Sequence, residues 1–259
     1  MIQFVNITKE EFLQSKLLYK HLPLENALRT LKDKSLWFAN PMTWKDPFER
    51  RFLEAKYMLN GEEKNFTWKG KVFCTCMTQT ITSESFWNIY SQGSIGIELR
   101  VYREKLLEEL SRYDDTYNIF IGKAEYLKTD DIRKDLRKIP FDPPVDADDN
   151  INTNKFAARL FLLKRIAYKY EDEIRIILVK KNATKENGIA INYECENNEL
   201  FQLIVLNPNI GDYTAEMLKS LFINEYGFSP LISRNGKLFN RVLRSQLYAK
   251  QKQVTLALD

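Results

Sequence analysis

The sequence predicts an α+β fold, a mixed sheet with flanking helices, and three observations carry that expectation. Hydrophobic spacing switches repeatedly between a period of two and a helical period along the chain. Strand-like segments fall in both the first and the last third, so the later ones can complete a sheet begun by the earlier ones. The segment Tyr168-Lys169-Tyr170-Glu171-Asp172-Glu173-Ile174-Arg175-Ile176-Ile177-Leu178 runs from tyrosines and carboxylates directly into a β-branched strand.

In chain order, Leu17–Leu22 reads as a strand, and Pro23 opens a helix to about Lys32 with Leu24, Ala27, Leu28 and Leu31 on one face. Ser35–Ala39 is a second strand. Asp46 before Pro47 reads as a helix N-cap, with Glu49 in the first turn. Val72–Thr78 is a strand, Phe86–Tyr90 a short helix ended by Gly93, and Ile95–Val101 a further strand. Leucine spacing makes Arg103–Arg112 helical, and Ile119–Leu127 reads as one strand. The stretch 139–153 is rich in Pro and Asp and is expected to be an exposed, poorly ordered loop. Asn154 is expected to cap a helix in which Phe156, Leu160, Leu163 and Ala167 share a face, with Lys155, Arg159, Lys164 and Arg165 around it. Strands follow at Ile174–Lys180, Gly188–Tyr193 and Leu200–Leu206, then a helix at Thr214–Asn224. The whole chain, 1–259, is expected to be one α+β domain.

Composition narrows the function classes. The hydrophobic fraction of 44% supports a buried core, and no run approaches the roughly 18 apolar residues of a membrane span. The N-terminus lacks a basic segment followed by an apolar one, so a cytoplasmic protein is expected. Three cysteines, Cys74, Cys76 and Cys195, do not suggest disulfides, and a single histidine without a Cys-x-x-Cys pair argues against zinc. A net charge of +4 allows an anionic ligand without requiring nucleic acid. Basic and aromatic residues interleave at Phe66–Lys71 and Leu163–Tyr170, a mixture that suits stacked bases but equally suits lysine stems over a core. The nine glycines are scattered, so no phosphate-binding loop is predicted.

The candidate site residues come from strand alternation. Glu171, Glu173 and Arg175 point to one face while Ile174, Ile176 and Leu178 enter a core, and a carboxylate held by a guanidinium suits stabilisation of a developing cation. The same pattern is equally that of a structural ion-pair network. Asp46 and Glu49 can be explained by capping, Trp87 and Tyr90 by packing on a helix, and His21 as a polar residue at a strand end.

Several ordered segments together resemble an uncharacterised bacterial and phage domain family. They are Tyr19-Lys20-His21, Leu36–Pro41 with Asp46-Pro47-Phe48-Glu49, Phe73-Cys74-Thr75-Cys76, Phe86–Tyr90 with Gly96, Tyr170–Arg175, and Val242–Leu247. The chain departs from that family's usual pattern at Lys45, where Asn is usual before Asp-Pro, and at Thr75, where Ser is usual after the cysteine. More remotely, the opening strand and helix and the late strand glutamate look similar to ADP-ribosyltransferases of the DNA-targeting toxin type. That resemblance implies an ADP-ribosyltransferase-like fold, NAD as co-substrate, and a toxin or phage-conflict effector that modifies nucleic acid or protein. It implies Tyr19 or His21 as dinucleotide holders, Tyr90 stacking on nicotinamide, and Glu173 binding the ribose and stabilising its cation, while Arg175, or lysines beside the cleft, is suited to pairing with the pyrophosphate. Asp46, Glu49 and Glu171 are the further candidates around the cofactor. Two other readings stay open: a non-catalytic module binding nucleic acid or protein, and a nuclease-like effector holding magnesium with Asp46, Glu49, Glu171 and Glu173.

Overall fold

The computed structural model describes residues 1–54, 56–59, 61–65, 68, 70–81, 83–91, 95–129, 151–232 and 235–248. A ten-stranded mixed sheet organises the chain. Its strands, with those of three small two-stranded sheets, are β1 (Gln3–Phe4), β2 (Leu17–Pro23), β3 (Ser35–Ala39), β4 (Lys56–Leu59), β5 (Glu62–Asn65), β6 (Val72–Thr78), β7 (Gly96–Tyr102), β8 (Tyr117–Lys123), β9 (Glu125–Leu127), β10 (Leu163–Arg165), β11 (Glu173–Lys180), β12 (Gly188–Asn192), β13 (Phe201–Leu206), β14 (Leu231–Ile232), β15 (Leu238–Phe239) and β16 (Val242–Arg244). The helices are α1 (Lys9–Leu13), α2 (Leu24–Lys32), α3 (Pro47–Arg50), α4 (Glu84–Ser91), α5 (Arg103–Ser111), α6 (Ile151–Leu160), α7 (Asn197–Leu200) and α8 (Asp212–Tyr226), with short 3-10 turns between some of them.

The main path of the large sheet runs β1-β8-β11-β6-β2-β7-β13-β16. Its pairs are antiparallel except β1 with β8 and β13 with β16, which are parallel. Strand β6 is where the sheet forks. One edge pairs along its whole length with β11, while the other meets β2 only at Thr78, opposite Tyr19, and β3 only at Cys74, opposite Ala39. Strand β3 then carries β12 away from the main path.

Both faces of the sheet are packed. Phe73, Ile97, Leu99, Ile174, Ile176 and Leu178 enter one core with Ala27 and Leu31 of α2, Leu106 of α5 and Phe222 of α8. Val72, Cys74, Ile177 and Val179 face a second core with Phe52, Trp68, Ala157 and Phe161. The face of β11 that bears Glu173 and Arg175 therefore continues into a second apolar layer, which follows from strand alternation once both faces are covered.

Most elements match the periodicity, and three differ. The strand expected at Ile119–Leu127 is two strands broken at Ala124, because the Ala124 amide donates to the Glu173 carbonyl while that of Glu125 turns to Leu162. The helix expected to run past Leu163 to Ala167 stops at Leu160. Leu163–Arg165 instead pairs in parallel with Glu125–Leu127, a long-range partner invisible to local spacing. Asn154 lies inside α6 rather than at its cap. That helix begins at Ile151, within the stretch expected to be a loop, and 139–150 lie outside the described residues. Gly93, Phe66, Thr67 and Lys69 lie outside them too. Helix α1 was not foreseen, although Thr8 and Glu11 form a reciprocal capping box. Among the described residues, no helix is long and apolar enough to cross a membrane.

Candidate active site

The site is built where the chain enters β11. A 3-10 turn over Ile166–Glu171 ends at Asp172, whose left-handed backbone (φ 37°, ψ 59°) reverses the chain into the strand. Asp is among the few side chains that tolerate this region, because its short polar group bonds locally. Here Asp172 pairs with Lys123 at 2.8 Å, and its carbonyl accepts from the Gln79 amide. The reversal brings Glu171 and Glu173 onto a common cation. Lys164 Nζ, from β10, donates to Glu171 Oε2 at 2.5 Å and to Glu173 Oε2 at 2.8 Å. Tyr126, opposite Lys164 in the β9–β10 pair, accepts the Glu173 backbone amide at 2.9 Å.

Arg175 stands one layer behind. Its guanidinium is 1% exposed and donates to Glu173 Oε2 at 3.1 Å, to the Phe161 carbonyl at 2.6 Å and to Glu49 Oε1, and it lies over the Trp44 ring. Burial alone would raise the Glu173 carboxyl, but the charges of Arg175 and Lys164 outweigh it and hold the group down at about 2. Glu171 goes the other way. Burial raises it, and the pull of Lys164 does not fully offset that. For Lys164, burial works to lower the ammonium, but Glu173 and Glu171 reverse the outcome and its proton is held more tightly than usual. Two neighbouring carboxyls thus have opposite proton affinities, an arrangement that separates their chemical roles.

Glu171 and Glu173 form one wall of a cavity of about 80 Å³, whose other walls include Tyr19, His21, Thr78, Phe86 and Tyr90. Strand β2 supplies Tyr19 and His21, and α4 supplies the aromatic side. His21 stacks on Phe86 (4.8 Å between centroids, 15° between planes) and meets Trp87 edge-on at 5.2 Å. Its Nε2 is 3.2 Å from Glu98 Oε2, yet neither ring nitrogen makes a hydrogen bond. Glu98 is fully buried on β7, directly opposite His21, and accepts from Arg100 Nε at 2.8 Å. Tyr90 stacks on Phe86 at 5.9 Å; burial and then the charges of Glu171 and Glu173 raise its hydroxyl, which keeps its proton at neutral pH.

Of the residues singled out in the sequence, Tyr19, His21, Tyr90, Glu171 and Glu173 come together around this cavity. Arg175 does not line it, so direct pairing of its enclosed guanidinium with a pyrophosphate is not open to it. Asp46 and Glu49 do not reach the cavity either. Asp46 caps α3 through the Phe48 amide (2.9 Å) and pairs with Arg165 (3.0 Å), whereas Glu49 neutralises Arg175 from the far side. The four carboxylates of the magnesium reading are divided among Arg165, Arg175 and Lys164, and among the described residues no group of three or more His, Cys, Asp or Glu could hold a metal ion. Lys164, Tyr126 and Glu98 were missed. Local spacing puts Lys164 as a cation beside a helix, and only pairing with β9 turns it inward; Glu98 does carry a signal, being a lone acidic residue in an apolar strand.

No family model matches the chain, and no curated protein matches it. Among solved structures, Thermus sp. 2.9 DarT in complex with NAD+ is similar at 10% identity, over 90% of this chain and 96% of that one, with a TM-score of 0.38.

Proposed function

We propose that this chain is an NAD-binding, ADP-ribosyltransferase-like protein, a toxin or conflict effector that transfers ADP-ribose to a nucleic acid or protein acceptor. The observation that carries the reading is Glu173, ionised down to about pH 2 and set in a cavity wall opposite aromatic rings. Cleaving the bond between ribose and nicotinamide passes through an oxocarbenium-like state, and a fixed carboxylate lowers its energy electrostatically. Lys164 and Arg175 keep that carboxylate charged and immobile. In this reading Tyr90 stacks on a flat ring and Tyr19 and His21 hold the rest of the dinucleotide, a reading supported by all three lining the cavity. The order of the sequence motifs supports the same assignment.

A second reading rests on a specific observation: Lys164 neutralises both Glu171 and Glu173 from 2.5 and 2.8 Å, as in a module that binds without catalysing. Incubating the protein with NAD and measuring free nicotinamide separates the two. Transferase or glycohydrolase chemistry releases nicotinamide, and Glu173→Gln, which keeps shape but removes charge, lowers the rate about 10²-fold or more. NAD binding without release selects the binding module. Equal rates in wild type and variant remove Glu173 from the mechanism.

A further inference from the structure

The fork at β6 encloses a second and larger space. Where β2 and β3 part, a cavity of about 390 Å³ lies against α2. That volume falls in the range of small-molecule sites, and its walls are mixed, an apolar side facing a polar one. Leu22, Leu99, Val101 and Phe201 form the apolar side, and Trp37 and Asn26 flank it. Trp37 is 55% exposed, and its indole lies so close to Gly188 that a side chain there would collide with it.

The polar side is made by Thr30, Ser35, Thr75, Asp33, Arg29 and, at the fork itself, Lys20. The Lys20 ammonium spans the fork, donating to Thr75 Oγ1 at 2.9 Å and to the Cys76 carbonyl at 2.8 Å. Both acceptors are neutral, and among the described residues no carboxylate is in ion-pair contact with it. An ammonium has three donors. Two are directed across the fork, and the third is left for the cavities that Lys20 lines. Burial lowers the proton affinity of Lys20, and the more distant charges of Cys76 and Glu173 offset this only in part. An anion entering the cavity would supply a close counter-ion in a setting where charge-assisted bonds are strong.

We propose that this cavity is a binding site for a small aromatic anion, its ring among Leu22, Leu99, Val101 and Phe201 and its carboxylate, sulfonate or phosphate on Lys20. Lys20 also lines the cavity that bears Glu173, but Leu22, Leu99, Val101 and Phe201 do not, so the ring would lie apart from that site. Lys20 and Thr75 project from the opposite sheet face to Tyr19, His21 and Cys76, since strand side chains alternate.

The probe is 8-anilinonaphthalene-1-sulfonate, titrated by fluorescence into the folded chain of 259 residues. Saturable one-to-one binding is expected. Lys20→Met should weaken it about tenfold or more, the scale of a lost charged hydrogen bond, and Asn26→Trp, an exposed position on α2, should block the opening without touching Lys20. Tyr90→Ala and Glu173→Gln should bind the probe as wild type does. Absence of saturable binding overturns the proposal, as does loss of binding in Tyr90→Ala, which would place the probe in the other cavity. Unchanged affinity in folded Lys20→Met overturns it as well. If Lys20→Met fails to fold, Asn26→Trp decides, and unchanged affinity there is equally fatal.

Discussion

Two buried ionic clusters sit side by side on this sheet and are finished differently. On β11, Glu173 is tied to Lys164 and Arg175, Arg175 is tied to Glu49, and Trp44 covers the guanidinium. On β2 and β7, Glu98 is held by Arg100, but the His21 ring against it makes no hydrogen bond and is positioned by stacking on Phe86. The first cluster fixes a charge; the second leaves a ring whose orientation depends on its aromatic neighbours. A buried charge needs partners on every side, whereas a stacked ring keeps its polar atoms available for a ligand.

The largest expected effect comes from breaking the first cluster. Arg175→Met leaves Glu49 buried without its cation and Glu173 with Lys164 alone, and should cost about 3–5 kcal/mol, read from urea denaturation. Arg100→Met should cost less, about 1–3 kcal/mol, because Arg100 is partly open to solvent. Equal losses would erase the contrast between the clusters.

Acid sharpens it further. Glu173 lies far below the usual value of 4.5, so its contribution is fully present above that pH and is lost as pH falls from about 4.5 toward about 2. Glu173→Gln should flatten the fall in stability across that window. Glu171 is shifted upward, so its contribution has the opposite sign, present below the usual carboxylate range and lost as pH rises through its folded value. Glu171→Gln should therefore steepen the acid-side loss, and parallel curves for the two variants would show that the carboxyls are not differentiated.

Smaller effects test the aromatic side and the turn. Tyr90→Ala should weaken NAD binding more than it lowers the melting temperature; a collapse in melting temperature would make Tyr90 a packing residue. Asp172→Val should lose about 1–2 kcal/mol because a β-branched side chain is disfavoured at positive φ, while Asp172→Gly should stay within about 1 kcal/mol of wild type. A tolerant Val variant would mean that the turn does not fix the spacing of Glu171 and Glu173.

What the sequence could and could not disclose follows the range of the interactions. Strand β11 was legible because period-two alternation is local, and so was Asp46 as an N-cap, since Pro47 follows it. The partner of Arg175 was not. Glu49 lies 126 positions away, and nothing in the spacing of either segment points to the other. Lys164 was misplaced because Phe156, Leu160, Leu163 and Ala167 do satisfy helical spacing, and only the parallel pairing with β9 overrides it. The fork at β6 was equally hidden, for it depends on which edges β2 and β3 choose.

The position of β11 also bears on how the chain folds during synthesis. It is inserted between β8 and β6, both made earlier, so the middle of the sheet lacks its joining strand until Glu173–Lys180 leaves the ribosome. The strand that welds the sheet is the one that carries Glu173. Joining β1 and β8 to the rest of the sheet and acquiring the carboxylate therefore need the same segment, and a nascent chain stalled before it would lack both.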